Sequence, residues 1–175
     1  GGLTLNGTGI ASGGALLNSA SGTATYAGLV TLGSASSIVA TSGSIILSNT
    51  GTITGATFGL TLDGAGTGSS IASIIGTTTG TLTKQGAGTW TLSGANTYTG
   101  ATTISAGILQ AGSSTSFGTG TVSITSGAAL DLNGQTMTST GGLTLNGTGI
   151  TSGGALLNSA SGTATYACLL YTSPS

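Results

Sequence analysis

The sequence predicts an all-β protein, a β-solenoid of stacked parallel strands with about twenty residues per coil. Three observations carry that expectation. Short segments alternate apolar with small polar residues, many end in a Gly-containing corner, and they recur at intervals near twenty along the 175 residues. Above this lies a longer period. Residues 1–27 return as 141–167 with one change, Ala11 to Thr151, so that Gly1 recurs as Gly141. A chain that repeats itself this faithfully is an array, whose units bury their apolar faces against neighbours.

The strands come first. Leu3-Thr4-Leu5, Leu60-Thr61-Leu62, Trp90-Thr91-Leu92, Val122-Ser123-Ile124, Leu130-Asp131-Leu132 and Leu143-Thr144-Leu145 put aliphatics on one face and polar groups on the other. Helix signals are missing, since no apolar stripe has helical spacing and Gly interrupts the chain every few residues.

The corners come next. Asn6-Gly7, Asp63-Gly64, Ser93-Gly94, Asn133-Gly134 and Asn146-Gly147 follow strands, and Asn, Asp and Gly accept the left-handed backbone of a sharp turn. Asn-Gly also closes β-hairpins. Spacing decides for the solenoid. Segments around Leu82, Ile104, Val122 and Leu143 follow one another at uneven steps near twenty, as does a second series through Trp90, Ile108 and Leu130. Two parallel series describe successive coils, and the 140-residue period then holds about seven coils of about twenty residues.

Composition excludes several classes. Charged residues are 2% of the chain, namely Lys84, Asp63 and Asp131, and there is no Glu, Arg or His. Ordinary domains carry roughly 25%. With a net charge of −1, no basic footprint for nucleic acid or an anionic membrane exists. Disorder is disfavoured, because the hydrophobic share is 37% and the aliphatics sit in regular clusters. Before the last eight residues the longest run of large aliphatics is Ile45-Ile46-Leu47, far short of the roughly twenty apolar residues of a membrane helix.

Residues 84–109 read KQGAGTWTLSGANTYTGATTISAGIL. This stretch closely resembles the autotransporter-associated β-strand repeat of passenger regions in Gram-negative type V secretion. It has the Lys, two spaced glycines, the Thr-Leu-Ser-Gly corner, Asn-Thr-Tyr-Thr-Gly, Thr-Thr and Ala-Gly before Leu109. Trp90 stands where leucine is more usual, and Ile108 where threonine is common. The resemblance implies a right-handed parallel β-helix displayed outside the cell, with a signal peptide upstream and an outer-membrane β-barrel downstream. It implies a stalk or adhesin-like scaffold, with a host surface, a glycan or a neighbouring cell as partner. The competing expectation is a carbohydrate-active β-helix whose catalytic coils lie elsewhere.

Candidate chemistry is thin. Cleaving a glycosidic bond needs two carboxylates, or one with a basic partner or metal. Only Asp63, Asp131 and Lys84 qualify; both Asp are read as corner residues and Lys84 as an exposed structural lysine. No His is present to activate a hydroxyl. Gly7/Gly9, Gly66/Gly68, Gly86/Gly88 and Gly118/Gly120 do not extend into a phosphate-binding pattern. The sequons Asn6-Gly7-Thr8 and Asn146-Gly147-Thr148 are explained by turn chemistry. Trp90 is expected in the core, Tyr98 is left open between core and sugar-stacking surface, and Thr-x-Thr steps at 52–54, 89–91 and 97–99 are too irregular for an ice-binding face. No catalytic, cofactor or metal-binding residue is assigned, and the ligand-binding residues stay unassigned.

After Ala167 the repeat stops. Residues 168–175 hold the only Cys and the only Pro. They resemble the translation of a transposase-based sequencing adapter, TGT-CTC-TTA-TAC-ACA-TCT-CCG-AGC. The solenoid is therefore expected to cover residues 1–167 of a fragment, with a non-native tail. Without Cys168 no disulfide framework or thiolate site exists. A solenoid cut at both ends exposes strand edges, so self-association is expected.

Overall fold

A computed structural model describes residues 1–138, 141–167 and 170–172. Cys168 and Pro174, on which the adapter reading partly rests, lie outside the described residues. The fold is a parallel β-solenoid with three sides to each coil. Every strand pairing among the described residues is parallel. The Gly corners therefore turn the chain around a rod and close no hairpin.

Side 1 stacks Leu60–Asp63, Leu82–Lys84, Thr102–Ile104, Val122–Ile124 and Leu143–Leu145. Side 2 stacks Thr23–Tyr26, Ser44–Leu47, Ser69–Ile71, Thr89–Leu92, Gly107–Ala111, Ala128–Asp131 and Leu156–Leu157. Side 3 holds Thr52–Ile53 against Ile74–Ile75 and Thr136–Met137 against Thr165–Tyr166. Between them, the Thr97 N–H donates to the Ile75 carbonyl at 3.1 Å and the Thr119 N–H to the Tyr98 carbonyl at 3.1 Å.

The register is more even than the sequence series suggests. Leu60, Leu82, Thr102, Val122 and Leu143 stand in one inward column, each directly over the one before. Thr102, two residues before Ile104, lies over Leu82, while Ile104 lies over Lys84. On side 2 Trp90 pairs with Leu109, so Leu109 points into the core and its neighbour Ile108 does not. The reason is the pleat: a shift of one residue would turn every apolar side chain outward.

Each coil contributes a few aliphatics to a core running along the axis. Leu5, Leu32, Ile53, Leu62, Ile71, Leu92, Ile104, Leu109, Val122 and Leu130 are all buried in it. Outward on side 1 runs a ladder of hydroxyl residues, Thr61, Thr83, Thr103, Ser123 and Thr144, one per coil.

The first coils are longer. Leu3 pairs with Val30, a wider step along the chain than any in the side 1 column. The extra length is a loop in which the Gly14 N–H donates to the Thr8 carbonyl at 2.7 Å and the Gly13 N–H to the Ile10 carbonyl at 2.8 Å. The repeat builds the same loop, with Gly154 to Thr148 at 2.9 Å and Gly153 to Ile150 at 2.7 Å. The strand Val30–Ala40 then passes a corner. Its residues 30–32 meet Thr54 on side 3, and residues 36–39 pair with Leu60–Asp63 on side 1. The expectation of seven coils in the long period is thereby corrected. The path from Leu3–Gly7 to Leu143–Leu145 makes six turns and one further side, because the early coils are longer than expected.

Corners are as tightly stacked as strands. Gly107 has φ +67°, and a Cβ there would run into the carbonyls of Gly86 and Gly88 and the Lys84 ammonium. Gly68, at φ +82°, has open space around the same position. Gly68→Ala should cost about 1–2 kcal/mol from backbone strain alone. Gly107→Ala should cost more, by on the order of 1–3 kcal/mol, because one corner must lift off the next. Urea midpoints of the two variants test this, and equal losses would contradict the stacking.

Candidate functional site

The residues singled out by the sequence do not converge on one site. Asp63 ends a side 1 strand and Asp131 ends a side 2 strand three coils further along, about 14 Å away along the axis alone. Each has its own corner to hold. Asp63 accepts from the Gly64 N–H at 2.6 Å and from Gln85 Nε2 at 3.2 Å. Asp131 accepts from Ser159 Oγ at 2.5 Å, Gln110 Nε2 at 2.8 Å, the Asn133 N–H at 2.9 Å and the Ser159 N–H at 3.0 Å. Burial would raise its pKa, but these four donors outweigh burial and hold the carboxyl below its ordinary value. Asp131 thus ties three successive coils together from outside, with Thr91 Oγ1 donating to Gln110 Oε1 at 2.8 Å at the near end.

Lys84 is corrected. It is buried, not exposed. The inward column runs Leu62, Lys84, Ile104, Ile124, so the pleat sends the lysine stem into the core. Its ammonium reaches the corner and donates to the carbonyls of Gly86 at 2.7 Å, Gln85 at 2.9 Å and Ala106 at 3.1 Å. Three donors meet three acceptors, the full capacity of an ammonium group. The Ala106 carbonyl belongs to the next coil, so Lys84 bolts two corners together.

The aromatic residues are settled as core. Trp90 is buried, with Nε1 donating to the Asp63 carbonyl at 3.3 Å in the coil before. Tyr98, left open by the sequence, is buried too, and its hydroxyl shares a 2.7 Å hydrogen bond with Thr102 Oγ1. Burial raises the Tyr98 pKa well above its ordinary value. Neither ring is available to stack on a sugar.

Sequence reasoning missed Asn96. It is buried, accepts from the Ile75 N–H at 2.7 Å and donates to the Ser116 carbonyl at 2.6 Å. One side chain thereby spans three coils. Its signal was present, since a polar residue with two-way hydrogen-bonding capacity sits inside the most specific stretch, but its partners lie a full coil away in each direction.

The remaining candidates have structural places. The Gly88 N–H donates to the Gly64 carbonyl at 2.9 Å and the Ile108 N–H to the Gly88 carbonyl at 3.1 Å, so Gly86/Gly88 is a corner stack. Asn146 Nδ2 donates to the Ile124 carbonyl at 3.0 Å, as its reading as a corner residue requires. The Thr-x-Thr steps fall on different sides, with Thr91 on side 2 and Thr54 on side 3, where Thr54 Oγ1 meets Thr31 Oγ1 at 3.2 Å. Among the described residues no pocket is present and no three His, Cys, Asp or Glu side chains gather. What faces solvent is flat: the side 1 hydroxyl ladder and, on side 2, the half-buried Thr91–Gln110 pair that leads to the buried Asp131.

Lys84 carries a pH dependence. Burial lowers its pKa from 10.5 to about 8 against the opposing pull of the Asp63 charge. Between those values the unfolded chain binds more protons than the folded one, so stability rises with pH through that window. Tyr98 acts oppositely above about pH 10, where the unfolded phenol ionises first. The unfolding free energy from urea titration should therefore rise from pH 7.5 to about 10, by on the order of 1–3 kcal/mol, with the midpoint rising in step. Lys84→Met should lose that rise and, by leaving three partly buried corner carbonyls without their ammonium donor, cost about 2–4 kcal/mol at pH 7. A midpoint that is flat in both proteins would contradict the assignment.

Asn96→Ala should cost about 2–4 kcal/mol, since it leaves a buried N–H and a buried carbonyl unpaired. Asn49, only partly buried, supplies the comparison. Its replacement by Ala is expected to cost less than about 1 kcal/mol. Equal losses would mean that Asn96 is not a bracket.

Three comparisons bear on these features. Residues 82–111 match the family model described as passenger-associated-transport-repeat. A 74-residue stretch, 41% of the chain, is 45% identical to "Adhesin BmaC autotransporter" of Brucella suis biovar 1 (strain 1330). The chain spans only 2% of that relative's length. No solved structure matches.

Proposed function

We propose that this chain, which carries an autotransporter passenger repeat, is a segment of a surface-displayed passenger working as a non-enzymatic stalk and adhesive scaffold. The observation carrying this reading is that the family match at residues 82–111 falls on Lys84, Trp90, Asn96 and Tyr98, the side chains that join coil to coil. What the passenger repeat specifies here is a way of stacking. The likeness to an adhesin autotransporter supports the adhesive part of the reading.

In this proposal the working surface is the repetitive flat exterior. Neutral hydroxyl rows offer many weak contacts to a glycan, a host surface or a neighbouring cell. Weak contacts in series give avidity without any single strong site. Full-length protein would stand outside the cell, held by an outer-membrane β-barrel beyond this chain.

Beads carrying one, two or four tandem copies of the long repeat unit test the proposal against glycan-coated and epithelial surfaces. Retention should rise more steeply than unit number, by a factor of about 10 or more from one to four. Retention that is no greater than on bare beads at every length would reject the adhesive reading, leaving a stalk alone.

We propose that the segment, taken by itself, self-associates through its outermost strands. Among the described residues, the strands Thr23–Tyr26 and Leu16–Asn18 each have a neighbour on only one side, as do Leu156–Leu157 and Thr165–Tyr166. Unpaired parallel edges recruit further strands. Sedimentation velocity should show mass increasing with concentration, and a monomer across the whole range would contradict it.

A further inference from the structure

Identical residues stand on different sides of the rod in the two copies of the repeat. Residues 3–5 pair with residues 30–32, which meet Thr54, and the adjacent Ile53 pairs with Ile75, so the first copy starts on side 3, with Gly7 already past the corner against Ser36. Their counterpart Leu143–Leu145 pairs with Val122–Ile124 on side 1. Leu16–Asn18 pairs with residues 38–40, on side 1, whereas Leu156–Leu157 pairs with Leu130 and Asp131 on side 2. Thr23–Tyr26 pairs with Ser44–Leu47 on side 2, whereas Thr165–Tyr166 pairs with Thr136–Met137 on side 3. All three segments have moved on by one side.

We infer that the long repeat unit is nineteen sides long, six turns and a third, so each tandem copy is turned by one side about the rod axis and every third copy returns to register. The cause is arithmetic: nineteen is not a multiple of three, and the chain is continuous. At about 4.8 Å per coil, one copy advances about 30 Å and three copies about 90 Å.

The consequence concerns what the array shows to its surroundings. The loop between Thr8 and Gly14 occurs once per unit; at its tip Ile10 is exposed in the first copy and its counterpart Ile150 is half-buried in the second. In the first copy it lies on the edge between sides 3 and 1, and in the second, between Thr148 and Gly154, on the edge between sides 1 and 2. A once-per-unit feature is therefore displayed on three edges in rotation. A partner that grips one edge meets the same loop at every third copy, while partners approaching from any direction find an equivalent surface. A unit of eighteen or twenty-one sides would line all copies up on one edge instead.

Paired cysteines in a Cys168→Ser background test the phase. Neighbouring parallel strands bring Cα atoms within the range a disulfide spans, and strands on different sides do not. Ser123→Cys with Thr144→Cys should cross-link on mild oxidation, as should Thr136→Cys with Thr165→Cys. Thr136→Cys with Thr144→Cys should not. If copies were in phase, Leu143–Leu145 would lie on side 3 and Thr165–Tyr166 on side 2, as their first-copy counterparts do, and neither of the first two pairs would cross-link; that result overturns the inference. As a second reading, spin labels at Thr8→Cys and Thr148→Cys should lie farther apart than the roughly 30 Å axial rise, because they sit on different edges. A separation equal to the rise would also overturn it.

Discussion

Parallel stacking of one coil on the next is the constraint from which the rest of the structure follows. Each strand takes its backbone hydrogen bonds from the coils before and after, so every residue must suit the residue one coil away on both sides. Leu60, Leu82, Thr102, Val122 and Leu143 obey this inwardly, and Thr61, Thr83, Thr103, Ser123 and Thr144 outwardly. A polar residue is admitted to the inner columns only when a neighbouring coil satisfies it. Lys84 meets this condition through the Ala106 carbonyl, Asn96 through Ile75 and Ser116, and Tyr98 through Thr102.

The scarcity of charge has the same origin. Stacked coils place identical positions about 4.8 Å apart, and like charges at that spacing would repel along the whole rod. Hydroxyls tolerate such stacking because each can donate and accept. The outside is therefore neutral, flat and repetitive, which suits a scaffold whose effect grows with length. Asp131 is the exception that illustrates the rule, since four hydrogen-bond donors from its own and neighbouring coils surround it.

Much of the fold was legible because the solenoid writes its register into the sequence. Alternation located the strands, Asn-Gly and Asp-Gly the corners, and the interval the coil. The near-identical loops at Thr8–Gly14 and Thr148–Gly154 show that local sequence alone specifies local geometry, since both form around the same Gly residues with different neighbours. The candidate residues were read less completely. Trp90 was placed in the core because it stands where the repeat usually carries leucine, whereas Lys84 was read from its place in the repeat motif as an exposed structural lysine, which was wrong. Its three carbonyl partners are made available only when corners stack.

By itself, then, the sequence determined the class of structure, a coil of about twenty residues and the corner chemistry, because each depends on residues a few positions apart or on simple periodicity. The tertiary structure decided which residues turn inward at Lys84, Asn96 and Tyr98, the even register of Leu82 over Thr102, and the one-side advance of each long repeat. The physical reason is the same in all three. Hydrogen bonds and packing between coils depend on how many sides the intervening chain makes, and the number of residues between two positions does not specify that count when loops vary in length.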